Sequence, residues 1–241
     1  MGAAAIWGIA MHKVVQDALQ GNPMTLTEAW GYHYPALVEK NPRLVWGETS
    51  YDAEYQTGLD FLTHSGVYAS LQRMFDKGLR QGDGSPWIEK PFRLMIPNIP
   101  LPILGYIDLV QGDNVPADIK CVSWEWDEAK ARDQLQAVMY LYAMWHMGAI
   151  EGDGPFPFRH YVFFRGNSRS NDLNIKVFET SWDIGWFEWL EKTYLRVWKA
   201  IDNQVFLPAS AGHWRCSPKY CDFWDQCKGK FVIPEVDIQE A

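Results

Sequence analysis

Apolar positions recur every three to four residues over 3–19, and Gly21, Asn22 and Pro23 end the run, so the pattern predicts a helix with one buried stripe. Residues 22–49 are turn-rich and predict no element. A second helical repeat, carried by Tyr55, Leu59, Leu62, Val67, Leu71 and Phe75, predicts a helix over 52–77 that stops at Gly78, with Gly58 and Gly66 as weak points. After a loop at 81–86, alternating or continuously apolar stretches predict strands at 87–96, 104–110 and 115–122. A helical stretch then runs over 127–147 to Gly148. Strands at 160–165 and 173–180 and an aromatic-rich helix at 181–201 complete the pattern. Helix, strands, helix, strands, helix is the signature of an α/β (α+β) sandwich.

Composition changes this picture little. With 241 residues and 47% hydrophobic content, one sizeable domain with a real core is expected. No apolar run reaches the roughly 20 residues a membrane helix needs. The stretch 3–11 has no preceding positive charge and is too short for an anchor, so a cytoplasmic protein without membrane attachment is expected. The thirteen tryptophans are expected mostly to pack, including Trp182, Trp186, Trp189 and Trp198 at helical spacing. Trp124 and Trp126, alternating around Glu125, are instead candidates for stacking on unpaired bases.

The chemistry concentrates in one hairpin. Gly105-Tyr106-Ile107-Asp108 is followed by Pro116-Ala117-Asp118-Ile119-Lys120 across a turn of Gly112, Asp113 and Asn114. Strand alternation puts Asp118 and Lys120 on one face, and such charges are costly to bury unless paired or bound to metal. A three-residue loop pairs Gln111 with Val115 and brings Asp108 opposite Asp118, whereas a four-residue loop sends Asp108 to the other face. Two carboxylates with backbone oxygens and waters suit Mg²⁺ or Mn²⁺, and Lys120 would orient or deprotonate a water or stabilise developing charge.

Asp108 with Asp118-Ile119-Lys120 resembles the core of the PD-(D/E)xK nucleases. Three further features resemble the RecB-like exonuclease branch, which includes the iron–sulfur exonucleases of CRISPR adaptation. Gly8-Ile9-Ala10-Met11-His12 is similar to its helical G-x-x-x-H motif, and implies that His12 ligates or approaches the metal. Gln136-Ala137-Val138-Met139-Tyr140 is similar to its Q-x-x-x-Y motif, with both side chains on one helical face beside the site. Glu89 opens the strand before Asp108, where relatives often carry a glutamate that assists the metal. The third feature is the cysteine run. The set appears in the family's order from Gly8 to Cys227 and implies a central mixed sheet flanked by helices over 1–210, with a cysteine segment at 211–241 packed on it.

In that segment His213, Cys216, Cys221 and Cys227 are candidate ligands. Relatives with an iron–sulfur cluster take a fourth cysteine from before the G-x-x-x-H helix, and no cysteine precedes His12 here. A [4Fe–4S] cluster with another fourth ligand, a Cys₃His zinc site and no metal all stay open. The resemblance implies a bacterial or phage exonuclease acting on DNA ends, single-stranded ones favoured, in recombination, repair or spacer processing. A structure-specific endonuclease with the same site, and a non-catalytic nucleic-acid or assembly module, are the rivals. The formal charge of −8 argues against holding DNA by bulk electrostatics and leaves room for a basic partner subunit or a homo-oligomer. Candidate phosphate contacts are Arg159, Arg165 and Arg169, and Lys219, Lys228 and Lys230.

Overall fold

A computed structural model describes residues 2–82, 85–166, 172–205, 213, 216, 221 and 223–225. The chain divides into two compact units, Met1–Leu195 and Arg196–Ala241. In chain order the elements are α1 (Ala3–Leu19), α2 (Leu26–Glu39), α3 (Tyr51–Thr63), α4 (Ser65–Phe75), β1 (Gln81–Gly82), β2 (Ser85–Pro86), β3 (Ile88–Leu94), β4 (Ile103–Val110), β5 (Pro116–Val122), α5 (Glu128–Arg132), α6 (Leu135–His146), β6 (Phe156–Phe164), β7 (Asn174–Trp182) and α7 (Ile184–Asp202). The main sheet has the order β3-β4-β5-β6-β7 and is antiparallel except for the parallel pair β5–β6. That mixture follows from the connections: a tight turn joins the antiparallel pair β4–β5, and the parallel pair needs a crossover, here α5 and α6. The α/β expectation therefore holds.

The core lies between the first four helices and one face of the sheet. Ile6, Trp7, Ala10, Met11 and Val14 of α1 meet Trp30, Phe61, Leu109, Ala117, Ile119, Tyr161 and Phe163 there. A Cβ on Gly58 would lie 2.1 Å from the Trp30 ring. The residue that weakens α3 as a helix is thus what lets α2 approach it. On the other face α6 sets Tyr140 against Phe92 and Phe158, and Phe187 of α7 stacks on Phe156 at 5.7 Å.

Several local expectations need correction. Residues 22–49 contain α2, started by a capping box in which Thr25 and Glu28 satisfy each other's backbone N–H groups; Pro35 inside the helix masks the repeat. The expected helix at 52–77 is two helices, because His64 takes an extended backbone, ends α3 and caps α4 by accepting from the Val67 N–H. The helix at 127–147 breaks at Asp133 and Gln134, giving α6 a direction of its own. Trp182 ends β7 and is buried, and Trp186 packs edge-on against it and against Trp189, the two α7 rings staying 40% and 41% exposed. The 81–86 loop carries a two-residue ladder between β1 and β2.

Candidate active site

The site begins where β4 and β5 part. Gln111 N–H donates to the Val115 carbonyl at 3.0 Å, Val110 pairs with Pro116 and Leu109 with Ala117. This is the three-residue-loop register, and it carries Asp108 and Asp118 to facing positions. The ladder stops there, since β4 continues on β3 and β5 continues on β6. The next hydrogen-bonded pair would join Ile107 to Ile119. Instead, the Ile119 N–H donates to Asp108 Oδ2 at 3.2 Å, and His12 Nε2 lies 2.6 Å from the Ile119 carbonyl oxygen. The closed end of the fork is pinned by Arg159, which donates to Gln111 and pairs with Asp113 and Glu179. Gln111 also bonds the Tyr161 hydroxyl.

A chain of hydrogen bonds joins the two arms. Lys120 Nζ donates to Asp118 Oδ1 at 2.7 Å and to Gln136 Oε1 at 2.5 Å. Gln136 Nε2 donates to the Tyr140 hydroxyl at 2.6 Å, and Tyr140 donates to Asp108 Oδ1 at 2.7 Å. The break before α6 aims both of its residues into the fork, and Gln134, the other glutamine in register, turns back to the Lys130 carbonyl. Burial and the charge of Asp118 push the Asp108 carboxyl up to about 6. Burial also raises Asp118, yet His160 and the Lys120 ammonium outweigh it and hold that carboxyl below its usual range. Burial, reinforced by Asp108, raises the Tyr140 phenol, which keeps it a neutral donor.

His160 is the residue that sequence reasoning missed. It lies on β6 directly beside Asp118 in the parallel register, wholly buried against Phe158 and Trp126. Its Nδ1 is 3.6 Å from Asp118 Oδ2, and neither that oxygen nor either ring nitrogen has a hydrogen-bond partner among the described residues. The available signal was a histidine heading the apolar run Tyr161–Phe164, but only the crossover register says what it faces.

The fork opens into a cleft of about 640 Å³ lined by Gly8, His12, Glu89, Asp108, Asp118, Lys120 and Gln136. Gly8 of α1 faces β5, where an added Cβ would come to 3.4 Å from the Cys121 side chain. Glu89 stands at the rim, exposed, with a φ of 47° that costs a non-glycine residue about 1–3 kcal/mol. The β3–β4 ladder skips its pairing with Asp108. Among the described residues no three His, Cys, Asp or Glu side chains gather closely enough to hold a metal ion. A cation would therefore take two carboxylates and complete its shell from backbone oxygen and water. Two facing carboxylates, one with a buried oxygen that no donor satisfies, fit an oxygen-seeking divalent ion of that kind.

Other candidates are placed elsewhere. Arg159 is buried in its ion pairs, and Arg165 pairs with Glu54 over the Trp7 ring, so neither offers a free guanidinium to phosphate. Trp124 is exposed, whereas Trp126 turns back on His160. Cys121 faces α1, its thiol pushed up to about 12 by burial. In the second unit the Cys216 N–H donates to the His213 carbonyl at 2.7 Å. Cys227, Arg169, Lys219, Lys228 and Lys230 lie outside the described residues. No helix among the described residues is long and apolar enough to cross a membrane.

No curated protein matches the chain. A family model described as the PD-(D/E)XK nuclease superfamily matches residues 2–228, a span that takes in α1, the forked strands and α6 together. A mixed sheet that splays to present Asp108, Asp118 and Lys120, and a match across almost the whole length, agree on one conclusion: this chain belongs to the PD-(D/E)XK nuclease superfamily.

Proposed function

We propose that the protein is a divalent-metal-dependent exonuclease of the RecB-like branch that degrades DNA from its ends. The observation that carries this reading is the bonded chain Asp118–Lys120–Gln136–Tyr140–Asp108, which ties the Q-x-x-x-Y helix to both catalytic strands. Asp108 and Asp118 would hold Mg²⁺ or Mn²⁺, with His12 and Glu89 flanking them in the cleft. When bound, such an ion polarises a phosphodiester and acidifies a water. Lys120 spends two donors on Asp118 and Gln136, which leaves a third for a phosphate oxygen or the attacking water. Tyr140 and Gln136 fix the distance between the carboxylates, and the cysteine segment enters no step.

The test compares end-labelled linear with circular single-stranded DNA in Mn²⁺, Mg²⁺ or EDTA. Metal-dependent shortening of the linear strand, with the circle intact, is expected. Cutting of the circle would replace this reading by an endonuclease, and cleavage of neither by folded protein would favour a binding module.

His160 bears on the same site. His160→Phe keeps the ring volume but removes the nitrogen beside Asp118 Oδ2. Mn²⁺ affinity, read by calorimetry, is expected to fall about 10- to 100-fold, as for other outer-shell partners. Unchanged affinity would show that His160 only fills space.

A further inference from the structure

The ribbon of β3 and β4 shows two unlike faces. Phe92, Leu94 and Ile107 are buried on one, where the missing side chain of Gly105 admits the Phe92 ring. The other face is exposed and runs outward from the cleft. It pairs Pro91 with Tyr106 and Arg93 with Leu104, and lies next along the two strands to Glu89 and Asp108, where the ladder is interrupted. Tyr106 is 61% exposed, Leu104 70%, and Met95, just past β3, 51%. Scattered exposed apolar side chains are ordinary, but these neighbour one another on the same two strands that carry Glu89 and Asp108 into the cleft.

We propose that this face is a stacking track for the single-stranded end of the DNA substrate, leading its phosphate to Asp108 and Asp118; the inference rests on the nuclease reading above. Successive same-face rows on a strand lie about 6.6 Å apart. A stacked strand rises about 3.4 Å per nucleotide, so one base per row is met by a strand unstacked and stretched to about twice that spacing. Tyr106 offers a ring face and Leu104 an apolar one, and base stacking tolerates any sequence. Beyond Glu89 and Asp108 the track carries no carboxylate, in a chain of net charge −8. Arg93 on it makes no hydrogen bond or ion pair among the described residues, so it can take a phosphate. A chain too acidic to hold DNA by bulk charge needs a contact of this kind. A protein strand adding to the sheet is disfavoured, because Pro91 on edge strand β3 lacks the N–H such pairing uses. Paired bases hide their faces, so duplex cannot use the track.

The experiment is equilibrium binding of a fluorescein-labelled 12-nucleotide oligothymidylate, and of a blunt duplex, in Ca²⁺. It compares wild type with Tyr106→Phe, Tyr106→Ala and Leu104→Ser, all exposed positions whose folding circular dichroism can check. Tyr106→Ala is expected to weaken the single strand by about 5- to 100-fold. Tyr106→Phe should stay within about twofold of wild type, and Leu104→Ser should add to the alanine loss. Duplex binding should move little in any variant. Equal single-strand binding by wild type and Tyr106→Ala, a parallel loss on duplex, or no binding of the single strand by wild type would each overturn the track. Failure of the nuclease reading shows separately, as absent cleavage by wild type in Mn²⁺.

Discussion

Lys120→Ala is expected to lower single-turnover cleavage of linear DNA by about 10²- to 10³-fold or more, with the protein still folded and still binding Mn²⁺. Removing one well-placed donor to developing charge costs that much in other active sites. Here the same side chain also links Asp118 to Gln136, and through Gln136 to Tyr140 and Asp108. Its loss leaves Asp118 buried without its cation, which is worth several kcal/mol in a sealed site. The Lys120 side chain is partly open to solvent, so the penalty is smaller here. Bound Mn²⁺ supplies the missing positive charge, so the variant should be most destabilised in EDTA and largely rescued by metal. Lys120→Arg should not restore activity, because a planar guanidinium cannot meet the carboxylate and the amide from the position of a single ammonium. Cleavage by Lys120→Ala within about tenfold of wild type would remove Lys120 from the chemistry.

Much of this site is legible locally. The period of two in β4 and β5 leaves two registers, and the three-residue turn of Gly112, Asp113 and Asn114 that the structure takes is the one that faces Asp108 to Asp118. The spacing of four in α6 puts Gln136 and Tyr140 on one face. What is not legible depends on partners distant in sequence. Apolar periodicity runs through His64 and Asp133 without marking the breaks, because either side of each break still packs. Pro35 hides α2 although the capping residues Thr25 and Glu28 are in plain view. Arg159 and Arg165 read as free cations until Glu179, Asp113 and Glu54 arrive from other strands and helices. His160 acquires meaning only through the parallel β5–β6 pairing, which no turn announces. Alternation tells which face Tyr106 occupies but not that nothing in the described residues covers it.

Asp108→Asn should abolish cleavage and yet stabilise the metal-free protein. The Asp108 carboxyl stands at about 6 in the folded protein against an unperturbed 3.8, through burial and the neighbouring Asp118. Its folded value is raised, so the native state holds the proton more tightly than the unfolded chain. Ionisation above pH 6 therefore costs stability, on the order of 3 kcal/mol. The cost is relieved as pH falls from about 6 toward 4, opposite to an ordinary ion-paired carboxylate. Asparagine removes the charge at all pH values. It keeps an oxygen for the Ile119 N–H but no longer accepts from Tyr140 as well, a loss of about 1 kcal/mol. The charge effect wins by about 2 kcal/mol, or roughly 4–8 °C in the thermal midpoint at pH 8 in EDTA. At pH 4.5 the gain should shrink to near zero or reverse. Saturating Mn²⁺ should invert the order, since only the wild type gains binding energy from the ion. Scanning calorimetry of both proteins at the two pH values, with and without Mn²⁺, reads all four outcomes. A lower midpoint for Asp108→Asn in EDTA at pH 8 would show that Asp108 is not strained against Asp118. The facing carboxylates would then be a relaxed pair with no reserve of repulsion for a cation to relieve.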